Sequence, residues 1–535
     1  VCTMAELTTS PAALRALLRL GWPAMLRGFV NCAADRATLS LVGHWDDTPA
    51  HFDAASLGKM YSNITGLSLG FGVNMGLATL CSQAFGAGRS AAEAGVHLRR
   101  AIVIHAALLL VSGLAAGFAE PLLLSMGQPA DVARCSARFA LLQLPGVPLF
   151  WLSNALQTAC DGAQRPRPGL YARCLSAGTT TGFAVLAVSP QILGWGYLGL
   201  AAARSLGGLV ELLAMLVLVR RHEGLADVVW RRGDRALRIF SARALWQYMR
   251  VALPAAAIMW TEWWSFEAQA VMAGLLPDAR VSLGAHGTLF NLLVVCYMAF
   301  TGLGTALCAL TGRAIGERAG HVVPRLCAVA GLVALAISAA VAGVIYGART
   351  PLARAFTSDE RVVDMIARCS LGPAVSVPGY AIFMTLFGAL RGASRQRGAA
   401  AGALIGYGLV GLPLAAYLGL VAHMPHGRPL LGIWIGNAAA LAFASAWTTT
   451  IVCRLDWAHV QPSTLARPRT CRPASRADED CAGAGGTTTT STTLGSCDAP
   501  ALDEAFLPVT EPGAEGAHGV PEAGTRGERR RVGKA

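Results

Sequence analysis

LCAVAGLVALAISAAVAGVIYG (326–347) and AIVIHAALLLVSGLAAGFA (101–119) decide the fold class. Between them the two stretches hold His105 as a titratable side chain, apart from one Cys and one Tyr. A membrane-spanning helix needs about 20 predominantly apolar residues, and both stretches have that length. A helix that is apolar all round cannot lie on the surface of a water-soluble protein. The composition agrees: 54% of the 535 residues are hydrophobic and 14% are charged, against about 25% charged in soluble domains.

Working outward with a window of about 19 residues gives twelve candidate spans. They lie near 22–43, 56–80, 98–119, 135–158, 172–188, 196–219, 249–275, 284–308, 323–347, 365–388, 399–422 and 430–453. The expected fold is therefore all-α, a polytopic membrane protein of twelve helices. Residues 1–21 show no signal-peptide pattern, so insertion is expected to start from the first span.

The net charge is +13, yet it does not point to nucleic acid. Its carriers sit in short loops between apolar blocks and in the tail, and all but Lys59 and Lys534 are Arg. Arg89, Arg99 and Arg100 follow span 2, Arg165, Arg167 and Arg173 follow span 4, and the connector 220–250 is rich in Arg. Arg313, Arg318 and Arg325 follow span 8, and Arg391, Arg395 and Arg397 follow span 10. The intervening loops are Arg-poor except 348–364, so the positive-inside rule places both termini in the cytoplasm. The 14 cysteines are scattered without C-x-x-C or zinc-type spacing, and read as small apolar residues.

The connector divides the chain into an N-terminal bundle (1–219), an Arg-rich linker (220–248) and a C-terminal bundle (249–456), followed by a tail (457–535) expected to be disordered. The halves share landmarks. Pro23 opens span 1 and Pro254 opens span 7, and Gly-containing loops, QAFGAGR (83–89) and TGRAIGER (311–318), follow the second span of each half. Duplicated halves with a central site between them are a common transporter architecture.

Charged residues inside spans are functional hypotheses by default. In MWTEWWSFEAQAV (259–271), Glu262 and Glu267 lie about 140° apart on the helix, so they are expected to do different jobs. Trp260 and Trp263 back Glu267, and an apolar, aromatic setting favours the neutral acid over the carboxylate. Arg27, Asn31 and Asp35 form one polar stripe on span 1, with Asp35 either a second ion site or half of a structural pair; Arg36 is expected to point elsewhere and snorkel. Lys59, Asn63, Gly70 and Asn74 line span 2, where small and amide residues favour helix packing. Arg204 and Glu211 share a face of span 6 and read as structural. There is no G-x-x-x-x-G-K-[ST], H-E-x-x-H or G-x-S-x-G, hence no argument for an enzyme, a metal or a cofactor; transport would run on an ion gradient.

From ASLGKMYSNITGLSLGFGVNMGLATLCSQAFGAGR (55–89), through LPGVPLFWLSNALQTACDGAQRPRPGLY (144–171) and EWWSFE (262–267), to GALRGASRQRGAAAGALIGYGLVGLPL (388–414), the chain resembles the multidrug and toxic compound extrusion family, eukaryotic type. The resemblance implies two six-helix bundles and a monomeric antiporter exporting organic cations and other xenobiotics by alternating access, in exchange for protons or Na+. It implies Glu262 as the main coupling residue with Glu267 second, and makes Asn63, Asn74, Gln83, Trp263, Gln269, Asn291 and Tyr380 cavity candidates. Some animal members carry an acidic residue where this chain has Tyr380, and the bacterial Asp late in span 1 corresponds to Thr38, with Asp35 a turn earlier. Two other readings compete: a lipid or glycolipid flippase with a basic cavity, to which Arg27 and Arg36 lend support, and a non-transporting receptor or scaffold. The membrane is expected to be the plasma membrane or that of an internal vesicle.

Overall fold

A computed structural model describes residues 6–46, 48–88, 91–222, 224–230, 241–357, 359–422 and 428–463. The tail beyond 463, where disorder is expected, and linker residues 223 and 231–240 lie outside the described residues. Among the described residues there is no strand.

Each candidate span is a long helix. They are α1 (Ser10–Trp45), α2 (Ala50–Gly86), α3 (Ala91–Gly117), α4 (the pair Ala130–Gln143 and Gly146–Gly162, bent by 49°), α5 (Arg167–Val188) and α6 (Gly196–Arg221). The second half repeats the series as α7 (Ala242–Gly274), α8 (Ala279–Gly316), α9 (Val323–Gly347), α10 (Leu371–Gly392), α11 (Gln396–Val421) and α12 (Pro429–Arg454). Eight of these are long and apolar enough to cross a membrane, nine if the bent pair is one span. The remaining three, α1, α5 and α7, are the ones whose interiors carry Arg27 and Asp35, Arg173, and Glu262 with Glu267. Charge dilutes their hydropathy.

Proline sits in the first turn of α1, α5, α9 and α12, where its missing N–H costs no helical hydrogen bond. Helix ends show the duplication in detail. α2, α4, α8 and α10 each stop two residues before a left-handed residue: Gly88 (φ 68°), Gln164 (φ 59°), Arg318 (φ 59°) and Ser394 (φ 60°). Each of these residues donates its N–H to the carbonyl three positions earlier: Phe85, Asp161, Ile315 and Arg391. Arg318 and Gln164 hold a backbone conformation that glycine adopts more readily, so the turn is imposed by what packs around it.

The helices form two bundles, α1–α6 and α7–α12, each closed by its own contacts: α1 on α5, α2 on α4 and α5 on α6 in the first, α8 on α10, α9 on α10 and α10 on α12 in the second. Across the middle, α1 meets α8 and α2 meets α7. These two seams are equivalent. A Cβ at Gly72 would stand 2.6 Å from the Ala256 Cβ, and one at Gly302 would stand 2.6 Å from the Met25 backbone nitrogen. Small residues let helix backbones approach closely where no hydrophobic effect drives association.

The two Gly-containing loops meet each other. A Cβ at Gly86 would fall 2.3 Å from the Arg313 carbonyl oxygen, and one at Gly316 would fall 2.5 Å from the Gln83 carbonyl oxygen. Around them Gln83 Nε2 donates to the Gly392 carbonyl (2.8 Å) and Ser394 Oγ (3.1 Å), Thr79 Oγ1 donates to the Arg391 carbonyl (2.8 Å), and Arg313 Nη1 donates to Gln164 Oε1 (2.8 Å). Ser463 N, from the short segment after α12, donates to Gln83 Oε1 (2.9 Å). Together these close one end of the crevice between the bundles.

Candidate functional site: a cavity between the bundles

Above that seal lies a cavity of about 480 Å³, within the range of small-molecule sites. α7 supplies Glu262, Trp263, Phe266 and Glu267, α8 supplies Phe290, Asn291 and Tyr297, and α10 supplies Tyr380 and Arg391. The opposite wall comes from α1 and α2: Asn31, Asp35, Arg36, Lys59 and Asn63.

Glu262 is 7% exposed. It lines the cavity together with Tyr380, and among the described residues no basic side chain pairs with it. A phenol both donates and accepts, so Tyr380 can serve either the carboxylate or the neutral acid. The Tyr380 ring stacks on Tyr297 (centroids 3.5 Å apart, planes at 10°), and Phe266 packs on Phe290 (4.8 Å). Glu267 is half-buried and lines the same cavity. The 140° separation therefore does not send the two carboxyls to different compartments; the cavity wraps far enough round α7 to meet both.

The cavity candidates divide. Asn63, Trp263, Asn291 and Tyr380 line it, whereas Asn74, Gln83 and Gln269 do not. Asn74 is buried inside the first bundle, donating to the Trp151 carbonyl (3.1 Å) and Asn154 Oδ1 (2.9 Å), beside a smaller cavity of about 220 Å³. Gln83 belongs to the seal. Gln269 Nε2 reaches Asn437 Oδ1 (3.3 Å) inside the second bundle.

The first bundle holds a buried ionic network that sequence reading found only in pieces. Arg27 is bidentate on Asp161 (2.7 and 3.3 Å). Arg173 pairs with Glu211 (2.8 Å) and donates to Asn31 Oδ1 (3.1 Å), while Gln157 donates to Glu211. Asp35 sits between Lys59 and Arg204, ion-paired to both. This geometry departs from Asp35 as a free ion site, because its carboxyl group is already shared between two basic side chains. Two further expectations change. Arg173 and Arg391 are buried inside α5 and α10 rather than exposed in loops. Arg36 does not snorkel: it turns across the cavity and donates to Asn291 Oδ1 (3.0 Å). His105 reaches the Gly70 carbonyl (3.3 Å) and stacks on Trp151.

The MatE family profile matches residues 23–186 and 254–417, one copy in each bundle. The chain belongs to the MatE family. Curated relatives of this MatE chain include multidrug and toxin extrusion protein 2 of Oryctolagus cuniculus, 27% identical over 462 residues that cover 83% of this chain and 71% of the relative. Protein DETOXIFICATION 36 of Arabidopsis thaliana is 25% identical over 452 residues, covering 83% of this chain and 86% of the relative. Among solved structures, the eukaryotic MATE transporter AtDTX14 superposes with a TM-score of 0.76 at 22% identity, over 86% of this chain and 98% of that one. The fold is thus that of the MATE transporters, and the protein is a multi-pass integral membrane protein.

Proposed function

We propose that this MatE protein is a secondary antiporter that exports small organic compounds in exchange for protons. The observation that carries the reading is Glu262: buried in the wall of the central cavity, in one lining with the Tyr380 hydroxyl, which suits both protonation states, and without a basic partner among the described residues. A carboxyl group so placed binds a proton when the cavity faces the acidic side and gives it up when it faces the other. Charging Glu262 in a cavity of low dielectric makes the aromatic wall of Trp263, Phe266 and Tyr297 attractive to a substrate, and protonation releases it. The names of the relatives, extrusion proteins for drugs and toxins, support an exporter.

The sealed end bears the Arg-rich loops, so the positive-inside rule supports a cytoplasmic seal and cytoplasmic termini. The bundle boundaries 1–219 and 249–456 follow from the duplication, and Asp35 is assigned to a fixed ion pair. Glu267, half-exposed in the same cavity, is assigned to substrate selectivity. The test is Glu262→Gln in proteoliposomes with an imposed pH gradient. Gradient-driven uptake should vanish while the protein stays monodisperse; undiminished uptake would remove Glu262 from coupling.

A further inference from the structure

α12 ends at Arg454, yet the chain stays on the protein as far as Ser463. Trp457 anchors this segment to the second bundle. It is buried, its Nε1 donates to the Val452 carbonyl (2.9 Å), and its own carbonyl lies where a Cβ on Gly320, in the lead-in to α9, would stand. Asp456 caps the short helix Trp457–His459 by accepting the Ala458 N–H (3.2 Å). Val460 is buried in the apolar cluster that holds Val322 and Leu326 of the same bundle. The first half has a counterpart: after α6 the short helix Ala226–Trp230 packs on α3, with Leu225 and Val228 buried and the Val228 carbonyl against Gly95. The segment after α12 goes further, because its end leaves the bundle that anchors it.

That end is Ser463, whose N–H donates to Gln83 Oε1 (2.9 Å) on α2 of the first bundle. Gln83 is 0% exposed, and its Nε2 already donates to the Gly392 carbonyl and to Ser394 Oγ. A carboxamide accepts at its oxygen and donates at its nitrogen, so the Ser463 N–H fixes which end of Gln83 faces Gly392. Turned round, the Gln83 oxygen would meet another carbonyl oxygen. Ser463 therefore positions Gln83. Anchor and tip are unequal: Trp457 and Val460 are buried among apolar side chains, whereas the tip reaches Gln83 through a main-chain N–H and its Oγ is buried without a hydrogen-bond partner among the described residues. Gln461, Pro462 and Ser463 extend at most about 10 Å from Val460, so the segment has little slack to follow α2 when that end opens. The lead-in to α1 crosses in the opposite sense. Leu7, 0% exposed, belongs to the apolar cluster of the second bundle, and Arg325 near the start of α9 donates to the Thr8 carbonyl.

We propose that segment 455–463 is a strap that holds the sealed end shut, anchored in the second bundle at Trp457 and fastened to the first through the Ser463 N–H on Gln83. Opening at that end requires the tip to let go. The proposal goes beyond the antiport reading, since it concerns which end of the cavity is open, whatever ion drives the cycle. A contact made in only one of two exchanging states biases the population toward that state. The strap thereby sets the resting state of the transporter as closed at the seal.

The experiment uses the full chain in lipid nanodiscs, with no gradient and no substrate, in a cysteine-reduced background. The reporter is Thr311→Cys on α8. Thr311 is 0% exposed at the seam, a Cβ on Gly392 would stand 2.9 Å from its Cβ, and among the described residues its hydroxyl has no hydrogen-bond partner to lose. Ser463→Pro removes the N–H and keeps the strap; it should speed labelling of the reporter by an impermeant maleimide about three- to tenfold, the weight of one net hydrogen bond. Ser463→Ala keeps the N–H and should label like the parent. A second reporter, Ser153→Cys, is 0% exposed inside the first bundle on α4; it detects general loosening and should stay protected throughout. Equal labelling of Thr311→Cys in Ser463→Pro and Ser463→Ala, whether slow or fast, or an equal rise at Ser153→Cys, would overturn the proposal. Neither reporter reads proton coupling: gradient-driven uptake that survives Glu262→Gln would remove the antiport reading and leave the strap standing, and slow labelling in Ser463→Pro would do the reverse.

Discussion

Removing the Asp161 carboxylate isolates the energetics of the buried network. In Asp161→Ala the Arg27 guanidinium loses both bonds of a bidentate pair whose side chains are 15% and 10% exposed. Breaking one side of a buried pair leaves an uncompensated charge and costs about 3–5 kcal/mol. Here the lower end is expected, because the pair borders the cavity of about 220 Å³ and water can reach part of the guanidinium. A loss of about 3 kcal/mol is about a hundredfold in the folded-to-unfolded ratio at 1.4 kcal/mol per decade. The internal control is Arg134 and Glu120, 3.4 Å apart with side chains 59% and 39% exposed; Glu120→Ala should cost less than about 1 kcal/mol. Replacing both partners, Arg27→Leu with Asp161→Leu, should recover most of the loss, since an apolar pair of similar volume carries no desolvation penalty. The assay is reversible unfolding in mixed micelles titrated with sodium dodecyl sulfate, followed by the fluorescence of Trp151, which is 0% exposed in the same bundle. If Asp161→Ala cost no more than Glu120→Ala, the network would not be the buried, water-poor assembly described above.

Gly86→Val should cut transport about tenfold or more with little effect on folding of each bundle, because its side chain collides with the Arg313 carbonyl at the seal; a rate within twofold of the parent would show the seal to be loose. Gln83→Leu removes the bonds to Gly392, Ser394 and Ser463 and leaves buried backbone groups unpaired, at about 1–3 kcal/mol. It should favour the state open at that end, measured as increased labelling of Ser394→Cys by an impermeant maleimide in a cysteine-reduced background. Glu267→Gln should retain gradient-driven uptake and change the ranking of substrates, read from competition among probes of differing charge.

The fold was legible wherever a local signal sufficed. Length and apolarity marked twelve helices, and the Gly loops after spans 2 and 8 marked a duplication that the structure repeats down to the left-handed residues Gly88 and Arg318. Glu262 and Glu267 stood out because a carboxyl in an apolar helix is costly. The ionic network was less visible, for a physical reason. Whether Asp35 is free or clamped depends on Arg204, a residue 169 positions away, and Asp161 has its partner 134 positions away; no spacing on one helix encodes either. Arg173 and Arg391 were read with the loops because helix starts and ends are set by packing, and each lies near such an end. Arg36 was assigned to the wrong face because angular position alone does not say how wide the cavity is.

The central claim is that one carboxyl group exchanges a proton for substrate. The direct measurement is proton release on adding a transported compound to the detergent-purified protein in weakly buffered solution, followed with a pH indicator. The parent protein should release up to about one proton for each molecule bound, since ligand and proton are linked through Glu262, and Glu262→Gln should bind without release. Equal proton release from both proteins would place the exchange on another group and contradict the account.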